Sequence, residues 1–484
     1  MSARAMKAPA SGVNVRMYRA GLGDCFLLAF RGKDGKPVYM LIDCGIHSQY
    51  KGGSDIIKEI AKHVRDSTDN HLNVVVMTHE HGDHISGFHL ARDVFRDMQI
   101  DEGWFAWTED PGNGLARRID RARSLMLRGL RAAGPALAAA DNPAARNVIG
   151  LTDFFVFEDG MGVSSRDTRD LIRGLPDECR YLKPKTPPLT LPGVEGVRIF
   201  VLGPPENERM LMRARPSKRG GEVYRDDDHA LALDDVLSAA FLAAAGEEFD
   251  SSDRDRSESG KPFASNLRVA NNIVKANEKR YPFFHEHYGF DPEDPDHWRR
   301  VDSDWQLPAE SLALKLDAAT NNTSLVLAIE LESTGRVLLF AADAQVGNWQ
   351  SWHEGGWSEV NGLGKDETLN AEELLRRTVL YKVGHHGSHN ATLRENGLEM
   401  MTSPELSAMI PVDRKWAFGR KPHPWKMPFD PLYEELLRRT GSRILRSDDG
   451  LVTPDRKTAA WRKFEARVNA KDPLFLELEV ADKK

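Results

Sequence analysis

The sequence predicts an α/β protein in which layers of β-sheet are covered by helices. Three observations carry this: strand-like apolar runs at 13–19, 25–30 and 38–42, a run at 71–78 (HLNVVVMT) that is apolar on successive positions, and a helical segment around 54–67 before it. A strand apolar on successive positions is buried on both faces, so something must cover each side. At 484 residues, 40% apolar and 29% charged, the chain can bury one large core or two ordinary ones and has a globular composition.

In chain order, VNVRMYR (13–19) and CFLLAF (25–30) flank a tight GLGD at 21–24, and VYMLI (38–42) follows the turn RGKDGK. Ala-, Arg- and Leu-rich stretches between 89 and 145 predict helices broken by Gly and Pro. Strands are expected at 153–157 (DFFVF), 197–202, 311–317, 324–331, 336–342, 379–384 and 406–410, then an amphipathic helix at 430–440. Segments 229–245 and 264–280 read as helical, and the polar GEEFDSSDRDRSESGKP (246–262) as a loop or disordered excursion.

The formal charge of −7 means that a nucleic acid would have to be met by a local basic patch. The opening MSARAMKAPASG lacks the apolar core of a secretion signal and no later run is long and apolar enough for a bilayer, so a cytoplasmic protein without a membrane partner is expected. Cys25, Cys44 and Cys179 form no CxxC pair and are expected as thiols, not as disulfides or a thiolate zinc site.

The strongest chemical signal is THEHGDH, residues 78–84, where His79, His81, Asp83 and His84 follow the buried strand directly. Imidazoles at i and i+2, then a carboxylate and an imidazole at i+4 and i+5, can point from one loop toward two neighbouring cations. Nitrogen and oxygen ligands of this kind suit zinc, manganese or iron. Four polar groups placed there without a site would be hard to satisfy. Two later segments repeat the context: RVLLFAAD ends in Asp343, and LYKVGHHGSH presents His385 and His386 between Gly384 and Gly387. A strand-end Asp alone is often only a turn or helix cap.

These residues carry a resemblance. THEHGDH matches the HxHxDH signature of the metallo-β-lactamase fold superfamily, and GLGDCFLL, YMLIDCG, NNTSLVLAIE, LLFAAD and YKVGHHGSH resemble, in order, segments of the hydrolase domain of bacterial competence (DNA-uptake) proteins. The resemblance covers 13–90, 190–205 and 311–455. It implies an αββα metallo-β-lactamase-type sandwich with helical and loop-rich insertions. The hydrolase domain would span 13–455, with a partly helical insertion at 91–190, a cap-like insertion at 206–310, and a C-terminal extension, 456–484, packed on the core.

The resemblance further implies two divalent metal ions, zinc or manganese. His79 and His81 would hold the first, Asp83 and His84 the second, with Asp343 bridging. His386, favoured over His385, would complete the second site, and Asp43 would hold a ligand histidine from behind, although on sequence alone it could equally cap a turn. Many superfamily members have a third histidine for the first metal where this chain has Asn321 and Asn322. Either Asn322 coordinates through its carbonyl or a histidine of the insertion, His229, His285 or His287, takes the position.

The implied chemistry is hydrolysis by a hydroxide generated on the metals, Asp83 orienting and deprotonating the attacking water. His423 in RKPHPWK could bind a phosphate or protonate a leaving oxygen, or be a surface histidine between prolines; Lys382 and Ser388 are further phosphate-contact candidates. Two basic clusters, RMLMRARPSKRGG (209–221) and DRKWAFGRKPHPWK (413–426) with Arg420 among Trp416, Phe418 and Trp425, suit phosphates and bases, or a charged face with aromatics packed inward. A phosphodiesterase or nuclease acting on DNA or RNA leads. A hydrolase of a small phosphodiester, cyclic nucleotide or lactone-like ester, and a non-catalytic partner-binding protein on this scaffold, are the alternatives.

Overall fold

The computed structural model describes residues 5–139, 144–155, 164–213, 271–288, 306–358, 360, 368–390, 392–420 and 424–483. His229, the 229–245 and 246–262 segments, and His423 lie outside the described residues. The strands are β1 (Gly12–Tyr18), β2 (Cys25–Arg31), β3 (Pro37–Cys44), β4 (His71–Met77), β5 (Gln99–Ala106), β6 (Glu178–Leu182), β7 (Leu189–Thr190), β8 (Val197–Gly203), β9 (Val326–Leu331), β10 (Arg336–Phe340), β11 (Gly356–Trp357), β12 (Leu369–Asn370), β13 (Thr378–Lys382), β14 (Ser407–Ile410), β15 (Ile444–Arg446), β16 (Gly450–Leu451), β17 (Val468–Asn469) and β18 (Phe475–Ala481). Among the described residues they form two eight-stranded sheets, ordered β17-β18-β1-β2-β3-β4-β5-β6 and β16-β15-β14-β13-β10-β9-β8-β7, and a ribbon of β11 with β12.

Period-2 side-chain alternation divides each strand between two cores. Phe26, Leu28 and Phe30 of β2, Met40 and Ile42 of β3 and Val74 and Val76 of β4 meet Leu327 and Ile329 of β9 and Leu338 and Phe340 of β10 between the sheets. The Phe26 and Phe340 rings contact edge to face at 5.7 Å across that core. The alternate residues, such as Leu27, Leu41, Val75 and Met77, turn outward and are covered by Ile57, Ile60, Ala61 and Val64 of helix α1 (Gly53–Ser67) and Ile85 and Phe88 of helix α2 (Gly82–Leu90). On the second sheet, Val337, Leu339 and Ala328 are covered by Trp349, Leu374, Leu375, Leu432 and Leu436 from the helices Val346–Ser351, Ala371–Arg376 and Asp430–Thr440. The result is a four-layer αββα sandwich of the metallo-β-lactamase type. Because both faces of the central strands are covered, their sequences are continuous apolar runs.

Two expected strands are not strands among the described residues, which leave out 156 and 157. Asp153–Phe155 is a 3₁₀ turn that places its two phenylalanines among histidine rings; a five-residue apolar run does not distinguish the two. Residues 311–317 belong to the helix Gln306–Asn322, in which Ala313 and Leu316, three apart, are buried while Leu314 is exposed. SLALKLD satisfies both periods, and the helical one prevails. Within 91–190, β5 and β6 are strands of the first sheet, and within 456–484, β17 and β18 form its other edge.

The chain divides into two compact units. One, Met1–Asp120, Asp153–Asp227 and Ala318–Lys484, holds both sheets and the site described below. The other, Arg121–Thr152 and Asp228–Asp317, includes the helices Ala144–Thr152, Asn271–Ala276 and Pro282–His287. In the second unit, His285 Nε2 lies 2.9 Å from the Val274 carbonyl, and the His287 ring packs against Phe283. Among the described residues, neither histidine belongs to a cluster of three or more ligating side chains.

Candidate metal centre

Strand direction gathers the site. β3, β4 and β5 run parallel, as do β10, β13 and β14, so their C-terminal ends open on shared edges where loops are free of the ladder. Asp43 lies near the end of β3, His79–His84 follow β4, Asp343 follows β10, and His385 and His386 follow β13. Asp24 precedes β2, which is antiparallel to β3 and therefore begins at the same end. The Leu325 N–H donates to the Thr78 carbonyl at 2.9 Å, joining the start of β9 to the ligand loop across the sandwich.

The backbone at these positions is unusual. Asp43, Ala342, His385 and His386 all have left-handed φ, between 45° and 56°. That region is costly for a residue with a Cβ and persists where surrounding contacts impose it. Gly45 serves the same loop differently: a Cβ there would lie 2.3 Å from the Asp83 carbonyl carbon and 2.4 Å from the His84 nitrogen.

Asp83, His84, Asp343 and His386 each offer an atom within 4.8 Å of the others, all buried, a group that could hold a metal ion; Asp24, Asp43 and His84 form a second. His386, not His385, enters the first group. The Nδ1 of His84 lies 2.8 Å from Asp43 Oδ2, and Asp43 also accepts the N–H and hydroxyl of Thr78 at 2.8 and 2.6 Å. The Nδ1 of His386 lies 2.6 Å from the Pro411 carbonyl. A proton on each Nδ1, held by the Asp43 carboxylate or the Pro411 carbonyl, leaves the Nε2 lone pair facing inward, the orientation a ligand histidine needs. His84 Nε2 then sits 3.2 Å from Asp343 Oδ2, and His386 Nε2 2.8 Å from Asp83 Oδ2.

This arrangement fits a cation. Lone pairs facing one another at such distances repel unless a positive charge lies among them. His84 Nε2, Asp343 Oδ2 and Asp83 Oδ1 are buried without a hydrogen-bond partner. The 3.2 Å separation of His84 Nε2 and Asp343 Oδ2 is close to the ligand–ligand edge of ~3.4 Å expected around zinc with bonds of ~2.1 Å. Burial opposes charging of His84 and His386, yet the carboxylates of Asp343, Asp24, Asp43 and Asp83 around the first, and of Asp83, Asp343 and Asp24 around the second, hold both above the ordinary histidine range. Positive charge is therefore favoured here, and a metal ion competes for the same lone pairs as a proton. Burial likewise opposes ionisation of Asp343 and Asp83, but His84 with Lys382, and His84 with His386, keep them below the usual carboxylate range.

His79 and His81, expected to hold the first ion, lie on the same loop but, among the described residues, belong to neither group. His79 Nε2 and His81 Nδ1 converge to 3.1 Å, and Thr78 Oγ1 lies 3.1 Å from His79 Nδ1. Burial drives both pKa values down, that of His81 to about 3, so both rings are neutral and offer lone pairs. Behind the loop, Glu80 is held by buried Arg169 at 3.0 Å, which also binds Glu109 at 3.1 Å and Asp120 at 2.7 Å.

Several expected roles are redirected. The amide of Asn322, expected as a weak ligand, donates to the Arg213 carbonyl at 2.9 Å and accepts the Asn348 N–H at 3.2 Å, which commits both ends to backbone. Lys382, expected at a phosphate, is buried with its ammonium on Asp24, on the Ala342 carbonyl at 3.1 Å and near Asp343 Oδ1 at 3.4 Å. Its three donors are thereby spent inside, and it supplies a fixed positive charge beside the Asp24–Asp43–His84 group. Ser388, a second phosphate candidate, donates to Asn390 Oδ1 at 2.6 Å and lies 3.0 Å from His385 Nδ1, so it orients a histidine. His385, whose pKa burial lowers to about 4, donates its backbone N–H to Asp343 Oδ1 at 2.9 Å. Arg420 lies over the Trp425 ring at 4.0 Å and the Trp416 ring at 4.9 Å, with Nη2 2.6 Å from Gln49 Oε1.

Sequence reasoning passed over Asp24 and His47. Asp24 donates its N–H to the Asp83 carbonyl at 2.9 Å, and its carboxylate meets Lys382. It flanks a strand just as Asp343 does, so the same argument would have found it. His47 is buried against Phe154, Trp416 and Trp425. No local pattern marks it.

Comparison of the chain with protein-family models, curated proteins and solved structures finds no match. The assignment therefore rests on the architecture and the donor set: a metallo-β-lactamase-type sandwich carrying His/Asp clusters able to chelate metal ions, the equipment of a metal-dependent hydrolase.

Proposed function

We propose that the chain is a phosphodiesterase that uses two divalent ions, zinc or manganese, with DNA or RNA as substrate. The observation that supports it most directly is the convergence of Asp83, His84, Asp343 and His386 with their lone pairs aimed inward. Such ions, when bound, lower the pKa of water toward neutrality and neutralise charge developing on a phosphoryl group. His79 and His81 would hold one ion, Asp83, His84 and His386 the other, and Asp343 would lie between them. Asp43 keeps His84 in the ligating tautomer. Asp83 Oδ1, buried and without a hydrogen-bond partner, is the acceptor available for the proton of the attacking water.

A small phosphodiester is the second reading, and one observation favours it. Trp425 stacks on Phe154, with ring centroids 5.5 Å apart, and packs against Trp416 at 5.9 Å, so these aromatics are engaged with one another where base stacking would need them open. Among the described residues, no helix is long and apolar enough to cross a membrane. The test is a panel of plasmid, single-stranded DNA, RNA and bis-p-nitrophenyl phosphate with added manganese or zinc. Cleavage of a nucleic acid supports the first reading and turnover of the small diester alone the second. Absence of turnover on every phosphodiester, with metal bound, overturns both.

A further inference from the structure

Among the described residues, His47 is a buried polar side chain that this chemistry leaves unused. Its backbone N–H donates to the Leu22 carbonyl at 2.8 Å, and its ring is enclosed by Phe154 at 4.6 Å and by Trp416 and Trp425, each at 5.3 Å. The Gln49 N–H donates to its Nδ1 at 3.2 Å, which places the ring proton on Nε2. That Nε2 is buried with no hydrogen-bond partner. A buried N–H without an acceptor is destabilising, and native structures keep few of them.

The segment that carries this donor is tied to the ligand loop. The segment from Asp43 to His47 wraps the ligand loop: Gly45 lies against the Asp83–His84 peptide, and the Ile46 N–H and C=O both bond Ser86 Oγ at 2.9 Å. Phe154 touches both the His47 ring and the His81 ring. Arg420 is joined to the same unit through the Gln49 side chain, and Asp153 is the carboxylate that bears on its charge. The outer wall of the enclosure is Trp416 and Trp425, which are only partly buried.

Resting on the phosphodiesterase reading, we propose that His47 and Arg420 form an oxyanion subsite beside the metal centre, where His47 Nε2–H and the guanidinium take a non-reacting phosphoryl oxygen of the substrate. The neutral imidazole contributes a directed hydrogen bond and Arg420 the charge. The same groups explain why the donor is left without a partner inside the protein: its acceptor is the substrate.

The test uses the full-length metal-loaded protein and inorganic phosphate as probe, by calorimetric titration, with His47→Phe, His47→Gln and Arg420→Met. Phenylalanine keeps the ring and removes the donor; the glutamine amide returns an N–H near the Nε2 position. The expected result is phosphate binding at least ~10-fold weaker in H47F with metal content unchanged, within ~3-fold of wild type in H47Q, and weakened again in R420M. If H47F does not fold, the ¹⁵N shift of His47 Nε2 in the wild-type protein replaces it and should move on phosphate addition. Wild-type affinity in H47F, an unmoved Nε2 shift, or no saturable phosphate binding by wild type overturns the subsite. Turnover of bis-p-nitrophenyl phosphate separates the two ideas. His47-dependent phosphate binding without hydrolysis of any diester retains the subsite and removes the phosphodiesterase. Equal hydrolysis by wild type and H47F does the reverse.

Discussion

Replacing Asp343 with Asn changes the centre at one atom. In the wild-type protein, Oδ1 accepts the His385 N–H at 2.9 Å and faces Lys382 at 3.4 Å, while Oδ2 lies 3.2 Å from His84 Nε2 without bonding it. Asparagine keeps the first oxygen and its contacts. Its amide nitrogen, at the second position, donates to His84 Nε2 and so occupies the lone pair that would otherwise ligate. The variant should therefore fold, and the centre loses a candidate ligand together with the negative charge that, in the proposed two-ion site, would offset the repulsion between the cations. We expect metal affinity at the Asp83–His84–Asp343–His386 group to fall at least ~100-fold, equivalent to ~2.7 kcal/mol. Hydrolysis should fall by at least ~100-fold as well. The assay pairs metal analysis and diester turnover with urea denaturation in saturating metal and in chelator. The stability increment conferred by metal on wild type should shrink by ~2–3 kcal/mol in D343N. Full metal content with near-wild-type turnover would refute the bridge.

Three further perturbations follow from the same geometry. If His79 and His81 hold an ion as proposed, graded chelation should release it before one at the Asp83–His84–Asp343–His386 group, since that pair offers fewer protein ligands; simultaneous loss of both ions counts against it. Gly45→Ala would place a Cβ 2.3 Å from the Asp83 carbonyl carbon, and the displaced loop should cost ~2–3 kcal/mol of stability and lower metal content, with unchanged denaturation contradicting the packing argument. His47, whose pKa burial lowers to about 3, binds a proton more readily when unfolded. Its contribution to stability is accordingly present above ~6.5 and declines as pH falls from there toward 3. Between pH 7 and 5 metal-free wild type should lose on the order of 2 kcal/mol relative to H47F by urea denaturation, and parallel curves would exclude the buried neutral imidazole.

What the sequence by itself determined was everything written in a local code. HLNVVVM followed at once by THEHGDH specifies a doubly buried strand and a ligand loop, because strand period, apolar content and ligand chemistry are all properties of adjacent residues. Asp343 and the His385–His386 pair were legible for the same reason, each standing directly after an apolar strand. Which nitrogen faces the centre was not. His386 enters it because Asp83, 303 positions away, meets its Nε2 across the two sheets, while the His385 ring is turned to Ser388. Lys382, Ser388 and Asn322 have the right chemistry for contacts with substrate or metal. Their donors and acceptors are instead committed to Asp24, Asn390, Arg213 and Asn348, and no spacing rule encodes those pairings. DFFVF read as a strand because an apolar run of five carries no information about what it will meet. Only the folded chain shows that Phe154 and Phe155 stand against His47 and His81. Ligand identity is local chemistry; ligand orientation is set by contacts between segments far apart in the chain, and those exist only once the sheets have packed.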